Sequence, residues 1–451
     1  MIKVVCLESG DFSTMIKNEN NIPAGYKDSA VGIIPQEWEV KTLINLGDFL
    51  KTNTLSRDKM NDIKGNVHNI HYGDVLIKYP EILDINKRDI PWINEDYNIR
   101  LGDYLANGDV IISDTAEDYT VGKATEIIGV SDEKVVAGLH TMAYRPYSSR
   151  FASCFLGYYI NSSFYRKQLF SQIQGIKVCS ISKSGFSNTS VCIPSILEQQ
   201  KIVEILRTWD EAIEKQTKLI KALEKRKQAL MQRLLSGRTR LPGFTGEWKK
   251  EKLMDIGIFL STNNFPRDKM NETEGTIMNV HYGDILIKYP TIVDLKTINV
   301  PYLNNGIKVK SDLLKNGDVI IADTAEDKIV GKAIEIVNIG THQIVSGLHT
   351  FAFRPNESLF VNRFLGYYLN SVGYRKQLES LIQGIKVCSI SKSSILNTYI
   401  SIPLIKEQQA IVNILVSADD EIKRHNTKLS QLRKQKRGLM QQLLTGKKRV
   451  K

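Results

Sequence analysis

The stretch EQQKIVEILRTWDEAIEKQTKLIKALEKRKQALMQRLLSG at residues 198–237 returns as EQQAIVNILVSADDEIKRHNTKLSQLRKQKRGLMQQLLTG at residues 407–446. Nothing else in the chain limits its possible folds so tightly. In the first copy, apolar residues fall at Ile202, Leu206, Trp209, Ile213, Ile220, Leu223, Leu230 and Leu234, in alternating steps of four and three broken only at Gln216 and Lys227. That spacing keeps one stripe on one face of a helix. The second copy repeats the stripe at Ile411, Leu415, Ala418, Ile422, Leu429, Leu432, Leu439 and Leu443, and its breaks, His425 and Lys436, fall at the matching places. A helix of about forty residues is roughly 60 Å long, more than an ordinary domain needs. Each stripe therefore expects the other as its partner, in a two-helix coiled coil acting as a spacer.

The duplication extends beyond the helices. IPQEWEVKTLINLGDFL returns as FTGEWKKEKLMDIGIFL with Trp38 matching Trp248, IHYGDVLIKYP at Ile70 matches VHYGDILIKYP at Val280, and NGDVIISDTAED at Asn107 matches NGDVIIADTAED at Asn316. The offset falls from 210 to 209 between Pro290 and Asn316, so one residue is missing there in the second copy. GLHTMAYRP pairs with GLHTFAFRP, FLGYYINSSFYRKQL with FLGYYLNSVGYRKQL, and IQGIKVCSISKS occurs identically from Ile173 and from Ile382. A period near two hundred residues makes each repeat a whole domain plus its helix. DVLIKY, DVIISD and KATEII read as short strands, FLGYYINSSFYRKQLFSQI as a helix, and Pro194 as the close of the last strand. The globular parts are thus α+β. Residues 1–30 are expected to form a polar leader, with globular domains at 31–197 and 238–406, long helices at 198–237 and 407–446, and a basic tail at 447–451.

Charge points the same way. Residues 198–240 hold 11 basic and 6 acidic residues and residues 407–451 hold 11 and 4, which accounts for the whole net charge of +12. The globular parts are neutral in sum, so an anion-binding surface on them must come from local clustering. The terminal KKRVK reads as a solvated tail. Five cysteines without a CxxC pair read as free thiols. With no long apolar run and no basic start before an apolar core, the expected location is cytoplasmic.

A duplicated enzyme should keep one catalytic constellation intact, and none is evident: there is no phosphate-binding GxxxxGKS or GxxxxGKT loop, no GxGxxG and no HExxH pair. His68 and His71 have metal-ligand spacing, but Met278 replaces His68 in the second copy. Glu326, Asp327 and Lys328 after Asp323 suggest a nuclease pattern, yet Tyr119 stands where Lys328 does. Binding fits better. Candidate DNA contacts in the first domain are Tyr72, Lys78 and Tyr79, then Thr115, Glu117 and Lys123, then Lys177, Ser180, Ser182 and Lys183. Their counterparts are Tyr282, Lys288, Tyr289, Thr324, Glu326, Lys332, Lys386, Ser389, Ser391 and Lys392. Lysine neutralises phosphate, serine and threonine position the backbone, and a carboxylate can accept from cytosine N4.

Two globular domains, each entered through an xEW segment and followed by IPxxxxEQQxI and a long helix ending MQRLLSG or MQQLLTG, resemble the specificity subunit of type I restriction-modification enzymes over nearly the whole chain from about Val31. The resemblance implies two similar target-recognition domains on an antiparallel coiled coil with a pseudo-two-fold internal repeat. It implies no catalysis in this chain. Each domain would read one half of a split double-stranded DNA target, with two methyltransferase subunits docked alongside and restriction subunits further out. S-adenosylmethionine, ATP and Mg would belong to those partners. Since the two domains are alike, both halves of the target are expected to carry the same or nearly the same short sequence. The competing readings are a protein-only scaffold and a methyltransferase or nuclease with unrecognised motifs.

Overall fold

The computed structural model describes residues 22–94 and 102–450, so most of the expected leader lies outside the described residues. The long helices run Ile196–Leu234 and Ile405–Leu443, 39 residues each. Each opens two residues before its EQQ motif. The chain divides into two compact units, Met1–Lys215 with Leu429–Lys451, and Gln216–Lys428. The division falls inside the helices, so each unit holds one globular domain, the first part of that domain's own helix and the last part of the other helix.

In the first unit, a five-stranded sheet has the order Gly47–Leu50, Thr141–Pro146, Val110–Ser113, Ala124–Ile128, Ile82–Asp84. Its pairings are antiparallel except the last, which is parallel. A four-stranded sheet runs Val135–Ala137, His68–Ile70, Trp92–Ile93, Met60–Asn61. The second unit repeats both sheets with Val319–Ala322 and Ala333–Val337 at the equivalent central positions. Val110–Ser113 and Val319–Ala322 are buried at every position, which is why they read as unbroken apolar runs rather than alternating ones. A separate antiparallel pair ties the entry strand Glu39–Thr42 to Ser190–Ile193, just before the long helix. Lys249–Lys252 and Tyr399–Ile402 do the same in the second unit.

The motifs that flank the helices are explained by their contacts. In the first unit Trp38 Nε1 donates to Glu198 Oε2 at 3.0 Å. Arg449 Nε, from beyond the end of the other helix, donates to Glu198 Oε1 at 2.7 Å. The basic tail is therefore docked through Arg449 rather than solvated throughout: a charge-assisted pair with a buried carboxylate outweighs the freedom of a free end. In the second unit Trp248 Nε1 and Arg240 Nε hold Glu407 at 3.1 and 2.7 Å. The next residue, Gln199, is wholly buried; its Oε1 accepts from Ala152 N and its amide donates to Arg150 O and Pro194 O. Gln408 repeats this with Val361, Leu359 and Pro403. These glutamines bolt a domain loop to the first turn of its helix.

All the stripe residues are buried or half-buried. Within each unit the helix segments run antiparallel, since contacts pass from Glu198 with Arg449 to Asp210 with Lys436 in the first, and from Arg240 with Glu407 to Lys227 with Asp419 in the second. The four breaks in the stripe are polar contacts. Gln216 Nε2 lies 2.8 Å from His425 Nδ1 and 2.9 Å from its carbonyl, while Lys227 and Lys436 each pair with an aspartate of the other helix. Each stripe meets more than the other stripe alone. Ile202 and Leu206 belong to the core that holds Trp38, Phe155 and Phe186 as well as Leu443 and Leu444, and Ile411 and Leu415 sit likewise in the second domain's core. The N-terminal part of each helix is built into its own domain.

Candidate nucleic-acid interface

Two of the three candidate segments meet in a short ribbon. Thr115–Ala116 pairs antiparallel with Cys179–Ser180, placing Thr115 opposite Ser180. Thr324–Ala325 and Cys388–Ser389 form the same ribbon in the second domain. The third segment is a short helix, Tyr72–Ile77, capped by His71. It joins the ribbon through His140: the Tyr72 ring meets the His140 ring at 5.3 Å and nearly at right angles, and His140 Nδ1 lies 3.3 Å from Thr115 Oγ1. In the second domain Tyr282, His349 and Thr324 give 5.3 and 3.4 Å.

His140 and His349 have φ of 55° and 53°, the left-handed region that a non-glycine residue rarely adopts. Asp114 N and Asp323 N donate to their carbonyls at 3.1 Å, which holds the turns in place. A histidine kept in this conformation in both copies, beside an aspartate and a threonine on a half-exposed surface, is a placed side chain rather than a packing accident.

The identical loop beyond the ribbon is equally constrained. Gln174 and Ser180 exchange both backbone hydrogen bonds, at 2.9 and 2.8 Å. Gly175 turns the chain at φ +96°, and a Cβ there would stand 2.0 Å from Val178 O. The turn puts Ile176 97% and Ile385 98% into solvent, beside exposed Lys177 and Lys386. A rigid loop presenting an isoleucine and a lysine in both domains suits apolar and phosphate contacts together.

The remaining candidates divide. Glu117, Glu326, Ser180 and Ser389 are exposed at the ribbon. Lys183 and Lys392 are exposed with their ammonium groups 5.1 and 5.0 Å over the rings of Phe49 and Phe259. Ser182 and Ser391 are exposed, but their hydroxyl oxygens cap short helices by accepting from Gly185 N and Ser394 N. Lys78 is exposed and pairs with Asp74 at 3.1 Å, and Lys288 pairs with Glu272 at 3.4 Å. Four residues are corrected. Tyr79 and Tyr289 are 2% and 3% exposed and lie in apolar clusters, because the chain turns inward just past the short helix, their N–H groups bonding back to the carbonyls of Asp74 and Asp284 at 2.9 and 2.8 Å. Lys123 and Lys332 are half-buried, and their ammonium groups donate to the carbonyls of Leu76 at 2.9 Å and Leu286 at 3.1 Å, completing helix ends rather than meeting phosphate.

Several placed residues were not among the candidate DNA contacts. His71 and His281 have their pKa lowered by burial, and each accepts from a glycine N–H through Nδ1, so at neutral pH the ring is uncharged with its proton on Nε2. Arg57 and Arg267, half-exposed, pair with the buried Asp74 and Asp284 beside these histidines. The RDKMN and HYGD identities between copies were the available signal. Deeper inside, Glu126 and Glu335 are buried carboxylates that accept from the backbone at Gly157 and Gly366, both at 2.8 Å. Desolvation lifts them to about 7 and about 8.

Two like domains, each carrying a constrained polar ribbon beside an exposed lysine and each built onto paired antiparallel helix segments, have the architecture of a DNA-specificity subunit. The chain belongs to the type I restriction modification DNA specificity domain family, which it matches twice, at residues 35–225 and 246–434. It is a specificity subunit of a type I restriction-modification system, with DNA and a methyltransferase as its partners. A Methanocaldococcus jannaschii protein assigned as the MjaX type I restriction enzyme specificity subunit is 24% identical over 94% of this chain and 97% of its own length. The MjaVIII specificity subunit of the same organism is 28% identical over 62% of this chain and 67% of its own. A chain solved in a study of complex assembly and conformational transition of the type I R-M system shares the fold, with a TM-score of 0.57 and 17% identity over 92% of this chain and 99% of that one. Among the described residues no helix is long and apolar enough to cross a membrane.

Proposed function

We propose that the ribbon and its loop, residues 173–183 with Thr115 and Glu117, and the equivalent residues 382–392 with Thr324 and Glu326, are the surfaces that read DNA. The observation that carries this reading is the same constrained loop in both domains, with Ile176 and Ile385 held almost fully in solvent beside a lysine. Like surfaces read like bases, and the helix segments run antiparallel within each unit. The target is accordingly a gapped sequence whose inverted halves are the same or nearly the same. Two methyltransferase subunits dock beside the helices, restriction subunits are able to join further out, and S-adenosylmethionine, ATP and Mg are bound by those partners in the cytoplasm.

Modified-base sequencing of genomic DNA from cells with and without this chain, expressed beside its methyltransferase, tests the reading. A gapped motif that depends on the chain is expected, with inverted halves that are the same or differ at no more than a single base pair. Unrelated halves sink the matching-domain idea, and unchanged methylation sinks target selection by this chain.

A further inference from the structure

The two recognition surfaces diverge sharply at one place. The TAED segment that opens from the ribbon is identical in both domains, but the next residue is Tyr119 in one and Lys328 in the other. The backbone around them is held alike. Arg166 donates to the carbonyls of Tyr119 and Val121 at 2.7 and 3.0 Å, and Arg375 to those of Lys328 and Val330, both at 2.7 Å. Asp118 and Asp327 each accept from the backbone two residues on, at 2.8 and 2.9 Å. The frame is common and the side chain is the variable.

The neighbour changes with it. Tyr119 is 67% exposed and meets Phe170, 55% exposed, edge to face at 6.4 Å. The residue equivalent to Phe170 is Glu379, exposed like Lys328. An exposed aromatic pair in one domain is thus a lysine and a glutamate in the other. The ribbon's register carries Tyr119 and Lys328 toward the same end as the projecting Ile176 and Ile385. A purely phosphate-binding position would not exchange an aromatic for a carboxylate at the neighbouring site, nor give up its lysine's charge for two rings. Base edges in the major groove fit both versions: lysine donates to guanine O6 and N7, a carboxylate accepts from cytosine N4, and an apolar surface meets the thymine methyl group.

We propose that Tyr119 with Phe170, and Lys328 with Glu379, make the two half-sites differ at one base pair, A·T under the first domain and G·C under the second. This rests on the DNA-reading function proposed above. The test is selection from randomised DNA duplexes by the chain in complex with its methyltransferase, using the native chain, Y119K/F170E and K328Y/E379F. The native chain is expected to select two halves that differ at one position. The first variant then turns that position in the first half to G·C, the second turns the other half to A·T, and each changes the preference roughly tenfold or more. Native halves that agree at every position overturn the proposal. So do swaps that leave the selected bases unchanged, or that alter only affinity and its salt dependence, as phosphate contact alone would. The reciprocal design covers the failure of one variant to fold, because either swap alone reports on its own half. A native complex that selects no gapped sequence overturns the DNA-reading function itself, which is a separate result.

Discussion

Lys436 donates to Asp210 across the helix pair at 2.5 Å, and the same carboxylate accepts from the Tyr158 hydroxyl at 2.6 Å. In the second unit Lys227, Asp419 and Tyr367 form the same chain, with the tyrosine bond again at 2.6 Å. One helix is thereby keyed both to the other and to its own domain. A slip of one turn would strand an ammonium group among apolar side chains, so the lysines that interrupt the stripe fix its register.

Replacing Lys436 by methionine removes the counter-charge from Asp210, whose pKa burial already raises. A loss of about 2–4 kcal/mol is expected in chemical denaturation, with part recovered in K436M/D210N. The matching K227M should cost less. Lys436 is only 7% exposed and also pairs with Glu81 at 3.1 Å, whereas Lys227 is 18% exposed and threonine stands at position 291, where the first copy has Glu81. Equal losses would mean that Glu81 adds nothing.

Glu126 gives a pH dependence of definite sign. Its carboxyl titrates at about 7 in the fold against an ordinary 4.5, so the native chain binds more protons than the unfolded chain between those values. The contribution is complete below about pH 4.5 and is lost as pH rises through about 7, amounting to roughly 3 kcal/mol. Glu335, at about 8, extends the loss further upward. Thermal melts from pH 5 to 8 should fall for the native chain and fall less for Glu126→Gln. An unchanged slope in the variant would contradict this assignment.

The sequence made some of this legible and concealed the rest, for identifiable reasons. Helical period and duplication were readable because a stripe of eight positions repeats at a fixed offset. The breaks at Gln216 and Lys227 were visible, but their partners, His425 and Asp419, lie on a distant segment that no local pattern indicates. Tyr79 and Lys123 misled because residue type alone does not tell whether a tyrosine ends in the core or whether a lysine is spent on a carbonyl. His140 stands in the GLHT segment that both copies share, with no local pattern to mark its role. Its left-handed backbone and its contact with Tyr72 appear only when the chain is folded.

The contact of Glu198 with both Trp38 and Arg449 predicts a graded response. Glu198→Gln keeps an acceptor for the indole but loses the charge-assisted pair, at a cost of about 1.5–3 kcal/mol. Hydrogen exchange should quicken at residues 444–450 while the ribbon is unaffected. Protection that stays the same would show that Arg449 is held by other contacts.

Gly175→Ala separates recognition from folding most cleanly. The new methyl group would meet Val178 O at 2.0 Å, on a backbone whose φ of +96° already disfavours a side chain. The loop must therefore open, moving Ile176 and Lys177 away from the positions the ribbon fixes. Because the residues it displaces are exposed, global stability should fall by no more than about 1–2 kcal/mol. Methylation at targets of the native chain should drop at least tenfold, since the first half-site is no longer read while the second domain is intact. Gly384→Ala makes the same change in the other domain, and its Cβ would likewise stand 2.0 Å from Val387 O. Equal defects from the two variants would mean that both halves contribute alike; full activity in both would show that this loop does not read DNA.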